Sequence, residues 1–319
     1  MKIPTKQGIP IVDMSQPITR WKEIVRELRQ ALQYTGFVYL VNHGIPEHIV
    51  DSAFQQSTHL FALPLDEKMK FERDLQETFH GYTKPGLKVI NPKSNTCLKE
   101  LRESFDCNIY NVSSCPYPDK GAEGFKPAMH TLMSECKELA IMILKMLGDA
   151  LDLSDQEYFL RHHRCLWDES APNFTSLRSL FYPQITKDIS GAIRFDEHTD
   201  YGTFTLLFQD DVGGLEVKTQ EGNWIPATPI PGSIVVNTGD LLNSWSGGLY
   251  TSTVHRVIVP QDEFQKQKPR QSIAFFVKPD NETVVVPLVN PENPSKIPEF
   301  QNVTAGEHFK QRTMSTRRT

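Results

Sequence analysis

Two hydrophobic periods divide this chain. From Trp21, the apolar residues Ile24, Val25, Leu28 and Leu32 recur at the spacing of one helical face, so an amphipathic helix is expected there. A second helix is expected from about Pro46 into the segment FALP. A longer one is expected from about Pro127 to Ala150, its apolar face formed by Met129, Leu132, Met133, Cys136, Leu139, Ala140, Ile143, Met146 and Leu147. Methionines on such a face are read as core filling. The segments IPIVDMS and GFVYLVNHG read as short strands, the second bounded by Gly36 and Gly44. Residues 75–125 hold no sustained period and are expected to be irregular.

After residue 176 the period shortens to that of strands. The segments SLRSLFY, TFTLLF, GLEVK, SIVVNT, HRVIV, SIAFFV and TVVVPL alternate with Gly- and Pro-containing turns. This spacing predicts a sandwich or barrel of jelly-roll type with the helices packed around it. The expected class is α+β: a double-stranded β-helix core flanked by helices, with a mainly helical N-terminal region over 1–125. Residues 126–319 would carry the long helix and the jelly-roll core. No linker-like sequence separates them, so one composite domain is expected.

Composition narrows the classes. Hydrophobic residues at 39% and charged residues at 23% fit a soluble globular protein. A net charge of −5 gives no electrostatic reason to expect nucleic acid or an anionic membrane as partner. No apolar run reaches the length of a membrane span, and the first residues lack a signal-peptide core. The five cysteines, Cys97, Cys107, Cys115, Cys136 and Cys165, include no C-x-x-C pair, which argues against a disulfide framework and a structural zinc site. N-x-S/T sequences beginning at Asn111, Asn173, Asn281 and Asn302 carry little weight without a secretory signal. A cytoplasmic protein is expected, and the basic tail FKQRTMSTRRT reads as a solvated end.

The chemistry concentrates in EHTDYGTFTLLF and STVHRVIVP. In extended chain, His198 and Asp200 share a face. His255 opens another strand-like run, and a jelly roll brings such distant strands together. Two imidazoles and one carboxylate with open positions suit non-haem Fe(II), and zinc remains a chemical alternative. Arg270 and Ser272, in PRQSIAFFV, share a strand face as well, a guanidinium fork beside a hydroxyl that suits a carboxylate.

The pieces GFVYLVNHGIP, FALPLDEKMKF and ESFD, then HTDYGTFTLLFQDDVGGLEV, VVNTGDLLNSWSGGLYTSTVHRV and RQSIAFFVKPD, occur in one order along nearly the whole chain. In this the chain resembles the isopenicillin N synthase-like family of Fe(II)/2-oxoglutarate-dependent oxygenases. The resemblance implies that His198, Asp200 and His255 are iron ligands and that Arg270 and Ser272 hold the distal carboxylate of 2-oxoglutarate, with Tyr182 also touching it. It implies use of O2, with ascorbate as an optional reductant, release of succinate and CO2, and a monomer. The reaction would oxidise a C–H bond by hydroxylation, desaturation or ring closure. Leu180 stands where plant members often have an asparagine, and IPIVD begins without their longer leader, which weighs slightly against a plant hormone or flavonoid enzyme.

Two rivals stay open. An oxidase of the same fold that needs no 2-oxoglutarate also carries R-x-S, and a non-catalytic jelly-roll module would be expected to have lost part of the site. The substrate class implied is a small metabolite, carboxylated or derived from an amino acid. Arg194, four residues before His198, either meets an anionic substrate or pairs with Asp196. His162 and His163 read as a solvated helix end, Asn42-His43-Gly44 as a strand-end turn, and Gly213-Gly214 as a turn.

Overall fold

Helix-backed β-sheet is the dominant theme of the computed structural model, which describes residues 8–75, 78–86, 88–90, 97–99, 101–110, 115–185, 194–259, 267–288 and 303–315. In chain order the elements are β1 (Ile11–Asp13), α1 (Trp21–Tyr34), β2 (Phe37–Val41), α2 (Glu47–Ala62), α3 (Leu65–Met69), β3 (Gly81–Thr83), β4 (Lys88–Ile90), β5 (Cys97–Lys99), β6 (Glu103–Asn108), α4 (Phe125–Ala150) and α5 (Tyr158–Arg161). They continue with β7 (Ser176–Tyr182), β8 (Phe195–His198), β9 (Phe204–Gln209), β10 (Leu215–Lys218), β11 (Trp224–Pro226), β12 (Ile234–Thr238), α6 (Asp240–Trp245), β13 (His255–Val257), β14 (Arg270–Val277) and α7 (Ala305–Ser315).

The expected helices form because their apolar stripes have somewhere to go. α1 buries Ile24, Leu28, Ala31 and Leu32 on one side. α4 is buried through most of its length, Met129, Met133 and Met146 included, and it packs against α1, α2 and α5. Together these helices cover one face of an eight-stranded sheet ordered β1-β2-β12-β9-β14-β7-β6-β3. A four-stranded sheet, β11-β10-β13-β8, provides the second wall of the jelly roll.

Alternation along β14 sorts its side chains between two cores. Ile273, Phe275 and Val277 join the helix-backed core. Ala274 and Phe276 turn the other way, into an interior cluster with Phe37, Tyr39, Leu180, Tyr182, Leu215, Val235 and Val257. Because Arg270 and Ser272 share the parity of Ala274, they enter the same interior.

Four short strands lie within the segment expected to be irregular. The longest, β6, is buried at all six positions. Its polar residues conceal this: Lys68 Nζ lies 2.7 Å from Glu103 on the helix side, while Arg178 Nε lies 2.7 Å from Asp106. Such pairing lets a half-polar strand be buried. TVVVPL is not a strand, contributing only an isolated bridge from Val284 to Thr304, and β8 and β11 escape the pattern because they are short and rich in polar or turn residues. The N-x-S/T sequences at Asn111 and Asn302 lie outside the described residues.

Candidate active site

The two strands that carry the histidines are neighbours, and their register places His255 directly opposite His198. His198 is the last residue of β8, and Asp200 lies two residues beyond it in the turn towards β9. The shared strand face expected for these two residues is therefore replaced by a strand end and a turn. What holds the turn is close packing. The backbone N–H of Asp240 donates to the Asp200 carbonyl at 2.8 Å, and that of Gly239 to Thr203 at 2.9 Å. A Cβ on Gly239 would stand 2.2 Å from the Gly202 carbonyl oxygen, and one on Gly202 would stand 2.4 Å from that of Val277. Only glycine permits that approach.

The ligand-capable atoms of His198, Asp200 and His255 all lie within 4.8 Å of one another, with the imidazole Nε2 atoms 4.0 and 3.9 Å from Asp200 Oδ1. Their other polar atoms are engaged. His198 Nδ1 donates to the Asp196 carbonyl at 2.8 Å and His255 Nδ1 to that of Thr253 at 3.1 Å. Those bonds put the proton on Nδ1 and leave each Nε2 lone pair facing the cluster. Asp200 Oδ2 accepts from Thr205 Oγ1 at 2.6 Å and Asn237 Nδ2 at 2.7 Å, so Oδ1 is turned inward.

Electrostatics agree. Burial, helped by His255, pulls the His198 pKa down to about 3, which keeps the ring neutral. Burial pushes the Asp200 carboxyl up, but the two histidines and the Asn237 and Thr205 hydrogen bonds outweigh it and hold the pKa below the usual value. Two neutral imidazoles and a carboxylate on one side of a small space are a donor set for a divalent metal with free positions.

At the far end of the interior, Arg270 pairs in register with Tyr182, and its guanidinium lies 5.0 Å from the Tyr182 ring centroid. Its Nε donates to the Gly213 carbonyl at 2.7 Å, Nη1 to Ser272 Oγ at 3.1 Å and Nη2 to Gln209 Oε1 at 3.2 Å. Gly213 and Gly214, with φ of 74° and 94°, form the expected turn, and its carbonyl is what fixes the arginine. Leu180, opposite Ser272, is buried in the interior and gives the pocket an apolar wall.

Two families match the chain by description: "non-haem dioxygenase in morphine synthesis N-terminal" over residues 9–125 and "2OG-Fe(II) oxygenase superfamily" over 173–279. A homoarginine-6-hydroxylase of Glycine max is 30% identical, with 95% of each chain covered. The chain belongs to the 2-oxoglutarate/Fe(II) oxygenase family. A full-length Neurospora crassa protein, crystallised in complex with alpha-KG, superposes with a TM-score of 0.84 at 30% identity over 98% of both chains. A proline hydroxylase, buaE, of Petromyces alliaceus is 32% identical over 83% of this chain and 84% of its own. The protein is thus a 2-oxoglutarate-dependent dioxygenase acting on a small metabolite, with iron and 2-oxoglutarate as cofactor and co-substrate.

Other expectations for this oxygenase change in the structure. His163 is fully buried rather than solvated: Nδ1 donates to the Phe159 carbonyl, Nε2 accepts from Thr203 Oγ1 at 2.7 Å, and burial brings its pKa down to about 4. It braces the Asp200 turn without joining the metal cluster. Asn42, at φ 53°, and Gly44 make the strand-end turn. Arg194 hydrogen-bonds the Lys268 carbonyl rather than Asp196. Thr205, Asn237 and Gln209 were missed in the sequence, although a polar residue inside the apolar run IVVNT marks Asn237 as a candidate.

Proposed function

We propose that His198, Asp200 and His255 hold the Fe(II) ion and that Arg270, Ser272 and Tyr182 receive the distal carboxylate of 2-oxoglutarate. The observation that carries this reading is the set of second hydrogen bonds at the metal end, which leaves one inward-facing donor atom on each of three side chains. Bound iron and 2-oxoglutarate supply the oxidising chemistry, coupling reduction of O2 to decarboxylation of the oxoacid and oxidation of a substrate C–H bond. The chain supplies position. Arg270, already fixed at Nε by Gly213, keeps Nη1 and Nη2 on groups that a carboxylate can displace. The apolar wall of Leu180, Tyr182 and Val235 keeps water from the space between the two ends.

The substrate belongs to the carboxylated or amino-acid-derived metabolites. Arg178 enters the interior from β7 in register with Ala274, held at Nε by Asp106, with its guanidinium 5.0 Å from the Phe276 ring centroid. Lys278 is buried nearby, 4.9 Å from the Phe309 ring centroid; burial and the neighbouring Arg178 bring its pKa down to about 7, and its Nζ donates to the Phe174 carbonyl at 2.7 Å. A guanidinium beside an aromatic ring in this interior favours a planar or carboxylated molecule. Free, buried thiols at Cys107, Cys115, Cys136 and Cys165 support a cytoplasmic setting, and a single chain that provides every candidate ligand supports a monomer.

The test is an anaerobic titration of metal-free protein with Fe(II) and then 2-oxoglutarate, followed by the visible iron-to-ketoacid absorption band. The band is expected in the wild type, lost in His255→Ala, and shifted to much higher ketoacid concentration in Arg270→Ala. Tight iron binding with no band at any ketoacid concentration would overturn the co-substrate assignment. A screen of carboxylated metabolites against their amides, scored by succinate release, then tests the substrate class: equal turnover of acid and amide would sink it.

A further inference from the structure

Arg194 stands immediately before β8 and has no solvent exposure. Of its polar atoms, Nη2 donates to the Lys268 carbonyl at 3.2 Å, while Nε and Nη1 have no hydrogen-bond partner among the described residues. A buried guanidinium with two idle N–H groups is strongly disfavoured unless something else fills the space. Where those groups lie narrows what that could be. Arg194 precedes the first residue of β8, whereas His198 is its last. Lys268 lies just ahead of β14, two residues before Arg270, and the Arg270 guanidinium and the Asp210 carboxylate are close enough to act on the Arg194 charge. Lys268, Arg270 and Tyr182 belong to the arginine end of the interior, and Arg194 meets it at the end of β8 opposite His198.

Charge points the same way. Asp210 is the acid of this group, but its carboxylate is taken by backbone: Oδ2 accepts from the N–H of Gln271 and Oδ1 from that of Val212 at 3.1 Å. With Asp210 ionised, two guanidiniums and one carboxylate still leave a net single positive charge in a buried space. One further carboxylate would neutralise it and accept a hydrogen bond from one of the idle nitrogens.

We propose that Arg194 is a second guanidinium for the distal carboxylate of 2-oxoglutarate, acting with Arg270 to select a dicarboxylic oxoacid. This rests on the assignment of Arg270 to that carboxylate. Two arginines engage one carboxylate from two directions, so a 2-oxoacid lacking the far carboxylate leaves both uncompensated. Of the alternatives for Arg194 that the sequence leaves open, Asp196 is not the observed partner, and a substrate anion would have to reach the end of β8 opposite His198.

A purely structural arginine and one that awaits an anion differ in what their removal does. Removing Arg194 relieves a buried like charge, so the ligand-free protein becomes more stable while its response to the ligand weakens. The experiment measures anaerobic calorimetric binding of 2-oxoglutarate and of 2-oxopentanoate to the Fe(II) protein, with melting temperatures, for wild type, Arg194→Met, Arg194→Lys and Arg270→Ala. Arg194→Met is expected to weaken 2-oxoglutarate binding roughly 10- to 100-fold, the loss of a charged hydrogen-bonded contact. It should leave 2-oxopentanoate and Fe(II) binding unchanged and raise the ligand-free melting temperature by a few degrees. Arg194→Lys should recover part of the affinity. Unchanged 2-oxoglutarate affinity in Arg194→Met, with weakened affinity in Arg270→Ala, overturns the role of Arg194 alone. Unchanged affinity in Arg270→Ala overturns the underlying pocket. A lowered melting temperature with equal weakening for both oxoacids makes Arg194 a structural residue and refutes the proposal.

Discussion

The two ends of the barrel interior are built on opposite principles. At the metal end, each of the three candidate ligands has its second polar atom tied, so geometry is complete before anything binds. At the arginine end, Arg270 keeps two nitrogens on displaceable groups and Arg194 has two nitrogens without a hydrogen-bond partner among the described residues, so on our proposal the site is completed only when an anion arrives. The difference teaches where specificity resides. A pre-set donor triangle accepts several divalent ions and leaves choice to availability. An unbalanced cation pair discriminates sharply, because the wrong ligand leaves buried charge uncompensated.

The contrast breaks most completely at the metal end. His255→Ala removes a proposed ligand, and iron binding and turnover should fall by more than the roughly 100-fold that loss of an outer hydrogen-bond partner brings; iron content and succinate release measure it. At the other end, Arg270→Ala removes two displaceable charged bonds. The 2-oxoglutarate KM should rise on the order of 100- to 1,000-fold with iron affinity intact. A fall in iron affinity would show that the two ends are not independent.

A pH experiment probes the brace behind the metal turn. His163 is neutral and buried when folded, with its pKa brought down to about 4, whereas in the unfolded chain it binds a proton near 6.5. The unfolded state therefore takes up the extra proton as pH drops. This contribution is fully present above pH 6.5 and is lost as pH falls towards 4, by at most about 3 kcal/mol. Urea unfolding across that range should show a shallower pH slope in His163→Gln than in the wild type.

Smaller changes sharpen the contrast. Asn237→Ala frees one side of the Asp200 carboxylate, and metal affinity should drop roughly 10- to 100-fold with 2-oxoglutarate binding to the metal-loaded form little altered. Ser272→Ala removes one neutral hydroxyl beside Arg270, worth about 1 kcal/mol, so the 2-oxoglutarate KM should rise only several-fold.

Much of the site could be read from the sequence because its residues sit in runs with a clear period. Arg270 and Ser272 open a β-branched and aromatic strand, and alternation alone puts them in the interior. His198 and Asp200 were brought to the right place by a less secure argument, since the expected strand continues as a turn held by Gly202 and Gly239. Backbone contacts between distant segments leave no period in the sequence. β6 was invisible for a different reason: its burial depends on Lys68, Arg178 and other partners far along the chain, so its composition reads as a loop. Arg194 shows the same limit, because what matters about it is which of its N–H groups lack partners.

The order of strands in the large sheet carries a consequence for how the protein is made. β1 and β2 form one edge and β3 and β6 the other, while β12, β9 and β14 from the second half fill the middle. Phe37 stands opposite Asn237, so an early strand waits for a late one. Such long-range pairing makes for slow folding, since distant segments must be brought together before contacts repay them. During synthesis the emerging N-terminal strands lack their neighbours, and their open edges are the exposed surfaces most prone to aggregation. His255 reaches His198 only after β13 has emerged and paired. With the proposed ligands, metal capture is a late event in the birth of this chain, and a ribosome-bound nascent chain ending before β13 should bind no iron.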